Sequence, residues 1–216
     1  VVAEGARNRN DAAATREALV ATAVQLFAER GLDGVSLAEI NRAAGQRNAT
    51  ALHYHFGGKE GLVQAIFDKH SARVNALRET LLDDLPESAP LPEVVGVLVL
   101  PLAEQVRDAD GGIHYLQFLA QLMNNPRVPR NSHDRRDSPV LAEQLRRFEV
   151  ALASMASDQR ELRMEFVIAM IFNSLAGYAA EVGRKGWKEK RHQQVVGQLI
   201  AAAVGALDFP GDSVSH

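Results

Sequence analysis

Glycines at 31, 45 and 57–58 divide the first part of the chain into short helical pieces, and this constrains the fold more than any other feature. From about Thr15 to Arg30, Leu19, Ala23, Leu26 and Phe27 recur on one face, which predicts an amphipathic helix that Gly31 stops. Ser36 then precedes an apolar-periodic run, with Glu39 three positions later, the pattern of a capping box. Leu37, Ile40, Ala43 and Ala44 fall on one face of that second helix. Gly45 stands where a left-handed residue must end it. A third helix opens near Arg47–Asn48 and runs to Phe56. Gly57-Gly58 breaks it, and Lys59-Glu60 starts a fourth. Pieces this short are unstable alone and must pack on one another. Two of them joined by a glycine turn outline a helix-turn-helix.

The charge pattern points the same way. The chain carries 27 acidic residues, yet none lies between Ala43 and Lys59. A surface that meets phosphate must avoid carboxylates, which repel the nucleic-acid backbone. Residues 1–75 carry 9 Lys/Arg against 8 Asp/Glu, or +1; the remainder carries 15 against 19, or −4, giving −3 in all. The acidic excess lies away from the expected DNA face. Arg47, Asn48 and Thr50, at the start of the third helix, are assigned to base edges, since Arg suits guanine and Asn suits adenine. His53, Tyr54, His55 and Lys59 are assigned to phosphates, which position without specifying. Ser36 adds a phosphate contact from the mouth of its helix. Tyr54 and Phe56 have a rival role, packing between helices.

Thr15 to Phe67 resembles the DNA-binding domain of the TetR family of bacterial transcriptional regulators. Phe27, Gly31 and Ser36 stand where that family has them, and Tyr54-His55-Phe56 followed by Lys59 and Leu62 matches its closing aromatic-His-Phe-x-x-Lys-x-x-Leu motif. The resemblance covers about a quarter of the chain. Two departures stand out. The Gly45–Phe56 segment is one residue longer than the common pattern, which shifts the register of base-reading residues by one, and Asn41 replaces a small residue. The resemblance implies a cytoplasmic homodimer that binds a near-palindromic double-stranded DNA operator, most often as a repressor. It implies a larger helical domain that senses a small-molecule effector by moving the fourth helix.

The expected fold is all-α: an N-terminal three-helix helix-turn-helix DNA-binding domain over residues 15–62, and a larger helical effector-binding and dimerisation domain over 63–208. Residues 1–14 read as a flexible arm, in which Arg7 and Arg9 either reach a minor groove or have no role. Residues 209–216 read as a frayed tail. The fourth helix keeps one apolar face through Leu62, Val63, Ile66, Phe67, His70, Val74, Leu77 and Leu81, up to about Leu82. Prolines 86, 90 and 92 mark a loop, and Pro92–Val106 reads as a helix kinked by Pro101. Asp108 to Gly112 is a turn that lacks the later ligands of a calcium loop. Ile113–Met123 is a short helix, and residues 124–138 form a polar, arginine-rich loop. Ser138-Pro139 caps a helix from Val140 to Met155, whose exposed faces carry Glu143, Arg146, Arg147 and Glu149.

The last two helices are expected over Asp158–Arg184 and Lys188–Leu207. The first is apolar nearly all round from Phe166 to Ala180 and needs cover on several sides, which a paired four-helix contact between two copies supplies. His114, Tyr115, Phe118, Phe172 and Asn173 are the pocket candidates, as polar handles in an apolar interior; plain core packing is the alternative for each.

Other classes fit poorly. There are no cysteines, hence no disulfide, thiol catalysis or Cys-ligated zinc. The start, VVAEGARNRND, has no apolar core of a signal peptide. The uncharged stretch from Phe166 to Ala180 is 15 residues, shorter than the ~20 of a membrane span. His53 and His55, two apart on a helix, diverge and cannot chelate a metal, and His133-Asp134 stands without a nucleophile motif. No enzyme, cofactor, metal or membrane partner is expected. The alternative is an all-α structural or ligand-binding dimer without DNA binding.

Overall fold

The computed structural model describes residues 2–46, 51–125 and 138–209, with residues 2–10 as backbone only. Nine α-helices follow one another there: α1 (Val2–Arg30), α2 (Leu37–Ala43), α3 (Ala51–Phe56), α4 (Lys59–Asp83), α5 (Leu91–Ala103), α6 (Gly112–Met123), α7 (Pro139–Ala151), α8 (Ser157–Lys185) and α9 (Glu189–Asp208). No strand occurs among the described residues.

The first lobe closes over Leu19, Ala23 and Phe27 of α1, Ile40 of α2, Leu52 of α3, and Leu62 and Ile66 of α4, all essentially inaccessible. The expected start of α1 at Thr15 is too late. The helix begins at Val2, and residues 11–14 are exposed. Ala3, Ala6 and Ala12–Ala14 are strong helix formers, and no proline interrupts them. The missing apolar period thus went with helical backbone that is exposed over residues 11–14.

α4 is continuous from the first lobe into the second, so it belongs to both. α6 packs against α1 as well as α8. Phe118 of α6 lies 6.0 Å from Phe27 and 5.8 Å from Phe67, ring centre to ring centre. Asn125 donates to Asp33 at 3.1 Å across the same seam. The reading lobe thus rests on the larger domain along two helices.

α5 gives way to a 3-10 turn at Glu104–Arg107, soon after Pro101, whose missing N–H weakens the α ladder. α7 starts at Pro139 behind its Ser138 cap. Arg147, expected on its exposed side, is buried. Its Nη1 donates to the Leu85 and Pro86 carbonyls at 3.0 and 2.7 Å, and its Nε to Glu143 at 2.6 Å. The Pro86 carbonyl also accepts from the Ala89 N–H at 3.1 Å, so Arg147 fixes the start of the α4–α5 loop by binding two successive carbonyls there.

The α8–α9 hairpin is tied to the 3-10 turn by His192, whose Nδ1 lies 3.1 Å from the Tyr178 hydroxyl and whose Nε2 lies 3.2 Å from Glu104. Arg163 closes the far end by donating to the Leu207 carbonyl at 2.9 Å. Val167, Ile171, Leu175 and Tyr178 form the buried edge of α8. Its other side is open: Leu162 and Phe166 are 51% and 61% exposed. α9 likewise exposes Gly197, Ala201, Ala202 and Gly205. α8 is long and apolar enough to cross a membrane by length and composition, and a third of its most apolar stretch is buried in the single chain.

Candidate nucleic-acid interface

The turn between α2 and α3 is built as the sequence predicts. Ser36 Oγ accepts from the Glu39 N–H at 3.3 Å, and Glu39 accepts from the Ser36 N–H at 2.9 Å, closing the capping box. The Ser36 N–H, the Ser36 hydroxyl at 2.8 Å and Arg30 all donate to the Glu39 carboxylate and hold it down to about 2. At the other end Gly45 takes φ +70°. Its N–H donates to the Arg42 carbonyl at 3.1 Å, and Gln46 N–H donates to Asn41 at 2.9 Å. This is a Schellman ending, which needs a residue free to turn left-handed. Asn41 is buried, so the polar residue at that position contributes its carbonyl to the turn.

Arg47, Asn48 and Thr50 lie outside the described residues. Within α3 the remaining candidates divide by face. Ala51 and Leu52 are buried; His53 is exposed; Tyr54 is 84% exposed and is the most accessible large apolar side chain of the described protein. Tyr54 therefore does not pack between helices. Among the described residues its ring meets His55 edge-on at 5.2 Å. Phe56 does pack: it is half-buried against the core with the Arg16 guanidinium 5.2 Å above its ring. Ser36 is exposed at the mouth of α2.

Lys59, expected at phosphate, is engaged within the protein. Its Nζ donates to the Val35 carbonyl at 2.7 Å and lies 5.7 Å from the Phe27 ring centre. The ammonium is turned inward because the carbonyl just before the α2 cap lacks a helical partner. Gly61, unremarked in the sequence, also has a fixed role. A Cβ there would stand 1.9 Å from the Phe56 carbonyl, so only glycine lets α4 leave α3 this closely.

In the larger domain a cavity of about 250 Å³ lies between α4, α5, α6, α7 and α8. Of the pocket candidates, Tyr115 and Phe172 line it. Phe118 instead packs between Phe27 and Phe67 in the seam between the lobes. His114 is half-buried and does not reach the cavity. Asn173 is exposed and accepts from Asn124 at 3.0 Å, donating in turn to the Ala169 carbonyl. Besides apolar residues such as Leu102 and Phe148, the lining holds polar side chains not among the sequence candidates: Gln64, Ser71, Asn75 and Arg78 on α4, and Gln144 on α7. Arg78 was legible as the eighth residue after His70 and the fourth after Val74 on the inner stripe of α4. Among the described residues no group of three metal-ligating side chains comes together.

Residues 19–66 match the family of bacterial regulatory proteins of tetR type. Among solved structures, a protein described as a tetR family transcription regulator from Shewanella sp. PV-4 is 20% identical, with 88% of this chain and 97% of that one covered at a TM-score of 0.58. GusR of Salmonella enterica (19% identical, 89% and 95% covered, TM-score 0.41) and SmeT in complex with triclosan (19%, 94% and 98%, TM-score 0.44) match more loosely. No curated protein matches the chain in sequence. The chain thus has a TetR-type fold, and its N-terminal helix-turn-helix is the part that matches the family model.

Proposed function

On the premise of a TetR-type helix-turn-helix, we propose that the protein is a ligand-responsive, non-enzymatic DNA-binding regulator. It acts as a homodimeric repressor that leaves its operator when a small molecule enters the larger domain. The observation that carries this reading is the outer face of α3, where Tyr54 stands 84% exposed in a stretch without a single carboxylate from Ala43 to Lys59. A free aromatic in an acid-free surface suits a phosphate-lined groove. Arg47, Asn48 and Thr50 read base edges; His53, Tyr54, His55 and Ser36 hold the backbone; Lys59 acts from behind by fixing α4 to the loop before α2.

One reading helix binds weakly. Two copies joined through the open sides of α8 and α9 set two of them ~34–36 Å apart, one duplex turn, and read a near-palindrome. The ligand must favour one spacing over the other, since equal affinity for both shifts nothing. The place of the cavity supports such a coupling, because α4 forms one wall and also carries the reading lobe.

Selection from random duplexes tests the reading. Enrichment of a two-fold symmetric motif, with affinity falling steeply as salt rises, supports it. Absence of any enriched sequence would favour an all-α ligand-binding dimer instead.

A further inference from the structure

The cavity has room for roughly eight water molecules at about 250 Å³. Most of its wall is hydrocarbon, and among the described lining residues Arg78 alone bears a formal charge. Arg78 is 4% exposed. Its Nη1 donates to Asn75 at 2.6 Å, its Nε meets no acceptor, and among the described residues no carboxylate pairs with it. Burial lowers its pKa to about 10, which still leaves it charged at neutral pH. Gln144 lines the same cavity. Its Nε2 donates to the Val94 carbonyl at 3.1 Å, and its Oε1 has no partner.

A buried guanidinium without a counter-charge is strongly unfavourable unless something else supplies the charge. Interiors rarely keep such a group for packing, because a methionine of similar shape would fill the space without the penalty. A neutral apolar occupant would make matters worse by displacing water from it. A dianion such as a phosphate monoester would leave one negative charge uncompensated, since among the described residues no second cation lines the wall. A monoanion balances the site.

We propose that the cavity takes a small amphipathic carboxylic acid, aliphatic or aryl, with its carboxylate on the Arg78 guanidinium and its hydrocarbon body among Leu102, Tyr115, Leu119, Phe148 and Phe172. This rests on the reading of the larger domain as effector-binding. A carboxylate matches the planar guanidinium fork. A hydroxyl or N–H elsewhere on the acid finds an acceptor in Gln144 Oε1. Because Arg78 is part of α4, the acid grips the same helix whose first turn is bonded to the reading lobe.

The test is isothermal titration of the full chain with octanoate and phenylacetate, each against its primary amide. The wild-type protein should bind the acids about ten- to a hundredfold more tightly than the amides. Arg78→Met should erase that preference while binding the amides at least as well, and Arg78→Lys should keep part of it. Circular dichroism of the variants guards against misfolding, and the acid–amide ratio of the wild type decides even if a variant fails to fold. Amides that match the acids on the wild-type protein, or a preference that survives in Arg78→Met, would overturn the proposal. If neither acids nor amides bind, both the proposal and the effector reading fall. If the acids bind through Arg78 but operator affinity does not change, the ligand class stands and the effector reading alone fails.

Discussion

The Lys59 ammonium donates to the Val35 carbonyl at 2.7 Å, which fastens the first turn of α4 to the residue just before the α2 cap. The same ammonium sits over Phe27, which is wholly buried. A cation on α4 therefore holds the entrance of the helix-turn-helix in place, and a shift of α4 is passed directly to α2.

Lys59→Met removes a charge-assisted hydrogen bond and leaves a carbonyl unpaired, so it should lower stability by about 1–3 kcal/mol. Operator affinity should weaken for all sequences alike, through a looser platform. The slope of log affinity against log salt should stay unchanged. A slope smaller by about one would instead mean that Lys59 neutralises a phosphate. Thermal melts and anisotropy titrations at several salt concentrations give both numbers.

Tyr54 touches nothing in the core, so Tyr54→Ala should leave the melting temperature within the scatter of surface substitutions, roughly ±0.5 kcal/mol. It should weaken operator binding about tenfold, the worth of one good polar contact. A destabilised variant with unchanged DNA affinity would show that the tyrosine serves the fold.

Phe166 is 61% exposed on α8. Phe166→Glu should leave the helical content of the chain intact and convert dimer to monomer in sedimentation velocity, because a charge buried between two copies lacks a partner. Operator affinity should fall about a hundredfold or more, as two linked half-site contacts become one. A dimer that survives the substitution would place the interface elsewhere.

His70 stacks on Tyr115, ring centres 4.5 Å apart, with its Nδ1 4.0 Å from Asp108, which Arg73 also holds at 2.7 Å. Burial, aided by Lys69, pushes its pKa from 6.5 down to about 4 against the pull of Asp108 and Asp110. The imidazole is thus neutral in the folded chain while the unfolded chain takes up a proton. Stability is complete above about pH 6.5 and is lost as pH falls towards 4. His70→Phe should flatten the stability profile in that window. An equally steep loss in the variant would assign the acid sensitivity to other groups. The Glu39 and Glu143 carboxyls, held down to about 2, act in a lower window.

Much of the reading lobe was legible because its rules are local. A hydroxyl three residues before a glutamate makes a capping box, and a glycine two residues beyond a short helix makes a left-handed stop. Both devices form at Ser36–Glu39 and at Gly45. Local rules failed where a signal was absent for a different reason. Residues 2–14 lacked an apolar period yet are helical, since alanine favours helix without needing a partner.

The sequence by itself determined the helical class, the order of elements and the acid-free reading segment, because these depend on spacing along the chain. Only the tertiary structure decided which way Lys59, Arg147 and Arg78 point. Composition places such cations on the surface, but loop carbonyls beside helix ends draw the first two inward, and the third closes a wall of the cavity. Phe118 and Asn173 moved out of the expected pocket for the same reason. Which side of a helix faces a cavity is set by the neighbours that the remaining helices bring, and a helical period is silent on that.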